Sequence, residues 1–254
     1  MYSQTVIRML GKKIYIGEIK MRKFIKSICI TLSHLPLFQR GSRSKKNIPV
    51  GGIYNENTME SLVNPPPKIS WYLRIFIKIA DKKAKKKMIM GRILTWSPKI
   101  SISSALLEVY IEKGSALCLE TRMLTLLKLI ISYTVPSPFA IDINSYKYKK
   151  YNITDEEVEG LRRIRDIDNI ISFSEKEKVA LKYAYALSKT PIALSQKQLD
   201  DLRRLFSEKE IVAIAALSAK VNYWARLFEA LRIKPAGYID APILHLKEYC
   251  TLIK

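Results

Sequence analysis

The chain of 254 residues carries 44 Lys and Arg against 23 Asp and Glu, a formal net charge of +21, and 48% of it is hydrophobic. This is the composition of a folded body rather than of a disordered or collagenous chain. Three cysteines without close spacing (Cys29, Cys118, Cys250) argue against a disulfide scaffold and a thiolate metal site, and two histidines (His34, His245) leave little for imidazole-bound zinc, so no metal or cofactor is expected.

The charge is uneven. Residues 1–58 sum to +9, residues 59–99 to +8, and residues 100–254 to only +4. Residues 1–58 read as a basic extension without regular pattern. Within it, 28–38 is mildly apolar behind a basic stretch, like the opening of a signal peptide. Thr31, Ser33, His34 and Pro36 interrupt it, no clean cleavage site follows, and it is too short to span a bilayer. A cytoplasmic location is therefore expected. Residues 41–67 have linker composition, and translation from Met59 instead of Met1 is an open alternative for this whole segment. The organisation is thus 1–58 as extension and 59–254 as one helical domain.

From Ser70 a helical period begins, with Trp71, Tyr72, Ile75, Phe76 and Ile79 on one face and Arg74, Lys78 and Lys82 on the other. It runs into Lys82, Lys83, Lys85, Lys86 and Lys87. That cluster suits phosphates of nucleic acid or an anionic membrane; it equally suits the solvated, dipole-compensating end of a helix, which the lack of interleaved aromatics favours. Pro98 breaks the chain ahead of a short helix over 103–112. A deeply buried helix is predicted over 115–133. Thr154-x-x-Glu157, Ser174-x-x-Glu177 and Ser207-x-x-Glu210 have the form of capping boxes, with Ser195-x-x-Gln198 as a weaker fourth. The last helix, over 207–233, is apolar nearly all round and closes before Pro235 and Gly237. Nothing calls for a strand, so the fold class is all-α.

The segment 134–144 joins the buried helix to the next. Ser137 and Pro138 read as N-cap and first helical residue, which places Ser137, Ala140 and Asn144 on one face. The stretch S-P-F-A-I-D-I-N-S at 137–145 is followed by F-S-E-K-E-K-V-A-L-K-Y-A at 173–184. Further on come F-S-E-K-E-I-V at 206–212, N-Y-W-A-R-L at 222–227 and K-P-A-G-Y at 234–238. Taken together, residues 65–238 resemble the carboxymuconolactone decarboxylase and alkylhydroperoxidase D-like family.

The resemblance implies a helical bundle, a homo-oligomer (trimer or hexamer) and a peroxidase or decarboxylase ancestry. Redox-active members carry C-x-x-C-x-x-x-H in this turn, with a glutamate twelve residues before the first cysteine. A helix N-terminus acidifies the thiol, the glutamate and histidine move protons, and the pair closes a disulfide. Here Ser137 and Ala140 stand at the cysteines, Asn144 at the histidine and Thr125 at the glutamate. Thiol peroxidase activity is therefore expected to be absent, and a redox-inactive pseudo-enzyme is the leading reading.

Asp142, Tyr146, Asn222, Trp224 and Arg226 are candidate lining of a surviving pocket for a small-molecule ligand. The alternative is that Ser137 is only a cap, Asn144 a solvent-facing amide and Tyr146 a packing ring. Two other functions stay open: a non-redox lyase or decarboxylase, with Asp142 as the carboxylate nearest the turn, and a basic binding protein acting on nucleic acid or an anionic membrane through residues 1–99.

Overall fold

A computed structural model describes residues 61–84, 86–146, 148–163 and 167–239. The extension 1–58, Lys85, Cys29, Cys250, His34 and His245 lie outside the described residues. Among the described residues the secondary structure is wholly helical: α1 (Trp71–Ala84), α2 (Ile89–Ile93), α3 (Pro98–Ala116), α4 (Thr121–Thr134), α5 (Pro138–Ser145), α6 (Asp155–Arg162), α7 (Glu175–Ser188), α8 (Gln196–Leu205) and α9 (Glu208–Ala230), with short 3-10 turns between some of them.

The bundle is organised around α4, which packs on α5, α6, α7 and α9, while α9 also covers α3 and α7. Leu126, Leu127, Leu129, Ile130 and Ile131 of α4 are fully buried, and Leu181, Ile214 and Leu217 meet them from α7 and α9. By length and composition α9 would suit a bilayer, yet it serves here as a central helix of the bundle.

All four capping boxes form, at Thr154, Ser174, Ser195 and Ser207. Two of their glutamates do more than cap. Arg122 of α4 reaches Glu157 at 2.6 Å and Glu177 at 2.8 Å, fastening the starts of α6 and α7 to the central helix. Burial opposes charge on Glu157, but Arg122, the Thr154 amide and Ser172 outweigh it and hold the carboxyl below its usual range.

Several expected boundaries and faces differ. Pro98 does not interrupt a helix; it starts a long one, as first residue after Ser97, so the segment expected over 103–112 is the middle of Pro98–Ala116. The helix expected over 115–133 is two helices. The chain leaves α3 at Ala116, exposes Leu117, and restarts at Thr121 with Ser115 O accepting from the amides of Cys118 and Leu119. No proline marks this turn, and its nearest glycine, Gly114, lies inside α3.

The inward face of α1 is Leu73, Ile77 and Ala84, whereas Trp71 and Ile75 stand exposed beside Arg74, Lys78 and Lys82. In the lysine cluster, Lys86 is structural: its ammonium donates to Ala236 O at 2.7 Å and lies 4.4 Å from the Tyr238 ring centre. Finally, α9 ends at Ala230 rather than 233, in a closure that makes both Schellman bonds, Ile233 N to Phe228 O and Arg232 N to Glu229 O. Arg232 occupies the left-handed position at φ 50°, where glycine is usual.

Candidate functional site

The inner ends of α1, α2, α3, α5 and α9 do not close tightly. They leave a cavity of about 210 Å³ walled by Phe76 and Ala80 of α1, Met90 and Gly91 of α2, Phe139, Ala140, Ile143 and Asn144 of α5, and Val221, Trp224 and Phe228 of α9. Trp224 and Phe228 stack at 5.6 Å between ring centres, and Phe139 lies 4.3 Å from Phe228. The wall is apolar on most sides.

Its charged lining is Glu108 of α3, Lys128 of α4 and Lys220 of α9, and both lysines bond Glu112, which does not itself line this cavity. Glu108 and Glu112 stand one turn apart on α3, Lys128 projects from α4, and Lys220 and Trp224 stand one turn apart on α9. Lys128 bonds Glu112, and Lys220 bonds both Glu112 (2.6 Å) and Glu108 (3.1 Å). The Trp224 indole N–H donates to the second oxygen of Glu108 at 2.8 Å. Two cations thus meet two anions, and each carboxylate oxygen has a donor. Glu112 is 1% exposed and Lys220 3%, so the pairing is a requirement of burial.

The network sets the protonation of its members. Burial drives the Glu112 carboxyl upward, but the attraction and hydrogen bonds of Lys128 and Lys220 prevail and bring it to about 2. For Lys128 burial wins: it lowers the ammonium's pKa, the nearby Lys220 charge adds to the lowering, and Glu112 offsets only part. For Lys220, whose burial also opposes charge, Glu108 and Glu112 prevail and raise it.

Behind Lys128, Ile143 and Asn144 lies a second chamber of about 40 Å³, lined also by Glu112, Thr125, Tyr146 and Tyr151. It has room for about one water molecule. Thr125 Oγ1 donates to Thr121 O of its own helix at 2.8 Å.

The residues singled out from sequence separate into those at the cavities and those away from them. Ala140, Asn144 and Trp224 line the larger one, and Thr125, Asn144 and Tyr146 the smaller. Asn144 is not a free solvent-facing amide; its Nδ2 donates to Ser132 Oγ at 2.9 Å. Ser137 is fully buried as the cap of α5, its oxygen accepting from the Ala140 amide, and it hydrogen-bonds Glu229, whose carboxyl burial holds above its usual range.

Three candidates take other positions. Asp142 accepts from the amides of Tyr238 (2.7 Å) and Ile239 (2.9 Å), pinning the segment after α9. Burial raises its pKa, and those amide bonds offset only part of the rise. Asn222 donates to Ser188 Oγ and Ser218 O, and Arg226 to Ser188 O and Thr190 Oγ1, so both hold the C-terminal end of α7. Cys118, the cysteine among the described residues, bonds Gly114 O in the α3–α4 turn and lines neither chamber.

Glu108, Glu112, Lys128 and Lys220 were not read as a site from sequence. The available signal was a charge inside an apolar run: Lys128 in L-L-K-L-I-I and Lys220 in L-S-A-K-V. A charge that the pattern forces inward must find a partner, and two glutamates one turn apart supply it.

No family model matches the sequence, and no curated protein matches it. Among solved structures, a cysteine-to-alanine variant of the debrominase Bmp8 in complex with 2,3,4-tribromopyrrole is 19% identical, covering 75% of this chain and 98% of that one at a TM-score of 0.60. A peroxidase-related protein from Silicibacter is 11% identical over 73% of this chain and 96% of its own, with TM-score 0.59. An alkylhydroperoxidase AhpD core, a peroxidase-related protein from Ralstonia eutropha, is 14% identical over 70% and 93%, with TM-score 0.57. The all-α fold of this chain is that of these AhpD-like structures.

Proposed function

We propose that the chain is a carboxymuconolactone decarboxylase and alkylhydroperoxidase D-like protein that has lost thiol redox chemistry and uses its cavity for a small, largely apolar molecule. The observation that carries this reading is the content of the turn into α5. Ser137 is spent as a buried cap, Ala140 is a bare stretch of cavity wall, and Cys118 lines neither chamber. A thiol peroxidase needs a thiolate with a resolving partner beside its substrate. The tribromopyrrole of Bmp8 is a small aromatic ring, which supports an occupant of that kind.

The test is hydroperoxide reduction by the full chain with dithiothreitol as reductant. The expected result is no turnover above the uncatalysed rate, unchanged by Cys118→Ser. Turnover that Cys118→Ser abolishes refutes the reading. The resemblance also leads us to expect a homo-oligomer, which the exposed Ile100, Tyr110, Leu117 and Val212 support and light scattering tests.

A non-redox enzyme is the second reading, favoured by the Lys128–Glu112–Lys220–Glu108 network at the cavity wall. In this version Asp142 is not the acting carboxylate, because its occupation with the Tyr238 and Ile239 amides gives it a structural task.

A further inference from the structure

We propose that the larger cavity is a carbonyl site, in which the amine of Lys128 condenses with a small neutral aldehyde or ketone to form an iminium. This rests on the reading of the cavity as a ligand site and names the class of ligand and the group that engages it.

Three observations carry it. Lys128 is among the residues that line a chamber otherwise mostly hydrocarbon and aromatic, whose wall also includes Phe139, Ala140 and Trp224. Desolvation of a lysine next to a second cation, here Lys220, is the circumstance that frees its lone pair for attack on carbonyl carbon, and burial works on Lys128 in that direction. A chamber of about 210 Å³ accommodates one aromatic ring with a short substituent, since about 150 Å³ holds benzene.

The charge balance selects the ligand and the product. Lys128 and Lys220 already match Glu108 and Glu112, so a charged ligand would arrive without a counter-ion. A neutral carbonyl avoids this. Ammonium and iminium each carry one positive charge, and the one replaces the other opposite Glu112.

In the first step Lys128 passes a proton to water and its lone pair attacks the carbonyl carbon. A C–N bond forms, the C=O π pair moves to oxygen, and the same proton is the one returned to that oxygen. In the second step the nitrogen gives up one of its two remaining protons, the hydroxyl takes that proton and leaves as water, and the nitrogen lone pair so freed forms C=N. The sum is ammonium plus carbonyl giving iminium plus water, with no oxidant or reductant required. The small chamber beyond Lys128 and Asn144 has space for the released water.

The experiment treats the full chain with benzaldehyde and sodium borohydride, which reduces an imine to a stable benzylamine, and maps the benzyl groups by peptide mass spectrometry. Lys128 is expected to be modified at least about ten-fold faster than any exposed lysine, such as Lys78 or Lys82. Gly91→Leu, which fills the cavity from a position where an added Cβ meets nothing within 4 Å, should abolish this modification while leaving the exposed lysines unchanged. Benzyl groups confined to exposed lysines overturn the proposal. Toluene, which has the ring without the carbonyl, separates the two readings through its effect on the melting temperature. A toluene-induced rise without trapping at Lys128 leaves the cavity reading standing and removes the iminium, whereas no effect of toluene and no trapping removes both.

Discussion

The interior of the molecule is of two kinds. Around α4 the residues Leu126, Leu127, Leu129, Ile130 and Ile131 meet Leu181, Ile214 and Leu217 with none of these side chains measurably exposed. Around Phe139, Ala140, Ala225 and Phe228, α5 and α9 border open volume whose wall includes Glu108, Lys128 and Lys220, and the two lysines bond the buried Glu112. Both regions share α4, and Lys128 interrupts the very run that makes the first region dry. A scaffold needing only stability would fill the second region with hydrocarbon, since buried ion pairs are commonly no better than well-packed apolar replacements. On the proposed reading this cavity, with paired charges at its wall, is a ligand site rather than part of what holds the bundle together.

The sharpest way to break that comparison is Glu112→Ala. It leaves Lys128 and Lys220 buried with one anion between them, and should cost about 3–5 kcal/mol, read from urea unfolding followed by helical circular dichroism. A loss no greater than that of a surface substitution would mean that water or rearrangement relieves the charges and the two regions are not distinct. Leu127→Ala probes the dry side. A cavity in that setting should cost about 2–5 kcal/mol without affecting any ligand that the other region binds.

Acid sharpens the contrast further. The folded state holds Glu112 at about 2 against an ordinary value of 4.5, so the unfolded chain binds the proton more readily. The stability that Glu112 contributes is complete above about pH 4.5 and is lost as the pH falls toward 2. Melting temperature measured across that window should fall less steeply in Glu112→Gln than in the wild type.

The gentlest test replaces Gly91 by Leu. The site is helical and unobstructed, so the exchange should raise stability by about 0.5–1 kcal/mol through helix propensity while occupying the cavity. A variant that is stabilised yet blocked in binding would show that the open volume is not a packing necessity.

Legibility from sequence followed the range of the interactions. Capping boxes are local, and Thr154, Ser174, Ser195 and Ser207 each start a helix as their spacing indicates. Ser137 was likewise readable as a cap because Pro138 follows it. The turn at 117–120 was hidden: no proline announces it, and the apolar run of Leu117 and Leu119 continues the pattern of its neighbours. In α1, Trp71 and Ile75 have the character of core residues in the sequence, while the packing buries Leu73 and Ile77. At the site, Ala140, Asn144 and Trp224 were found through the turn and its surroundings. The Lys128–Glu112–Lys220 network was not, because its members are 16 and 108 residues apart and only the packing of α3, α4 and α9 brings them together.

Trp224 offers a direct view of the cavity. It lines the chamber, whereas Trp71 and Trp96 are more than half exposed. Titration of the full chain with bromobenzene, a heavy-atom quencher shaped for an apolar chamber, is predicted to give a saturable loss of indole fluorescence in the wild type. In Gly91→Leu only the linear, collisional loss from the exposed indoles should remain. Quenching that is linear in both proteins, or saturable in both alike, would contradict the claim that this fold keeps an open cavity for a small apolar guest.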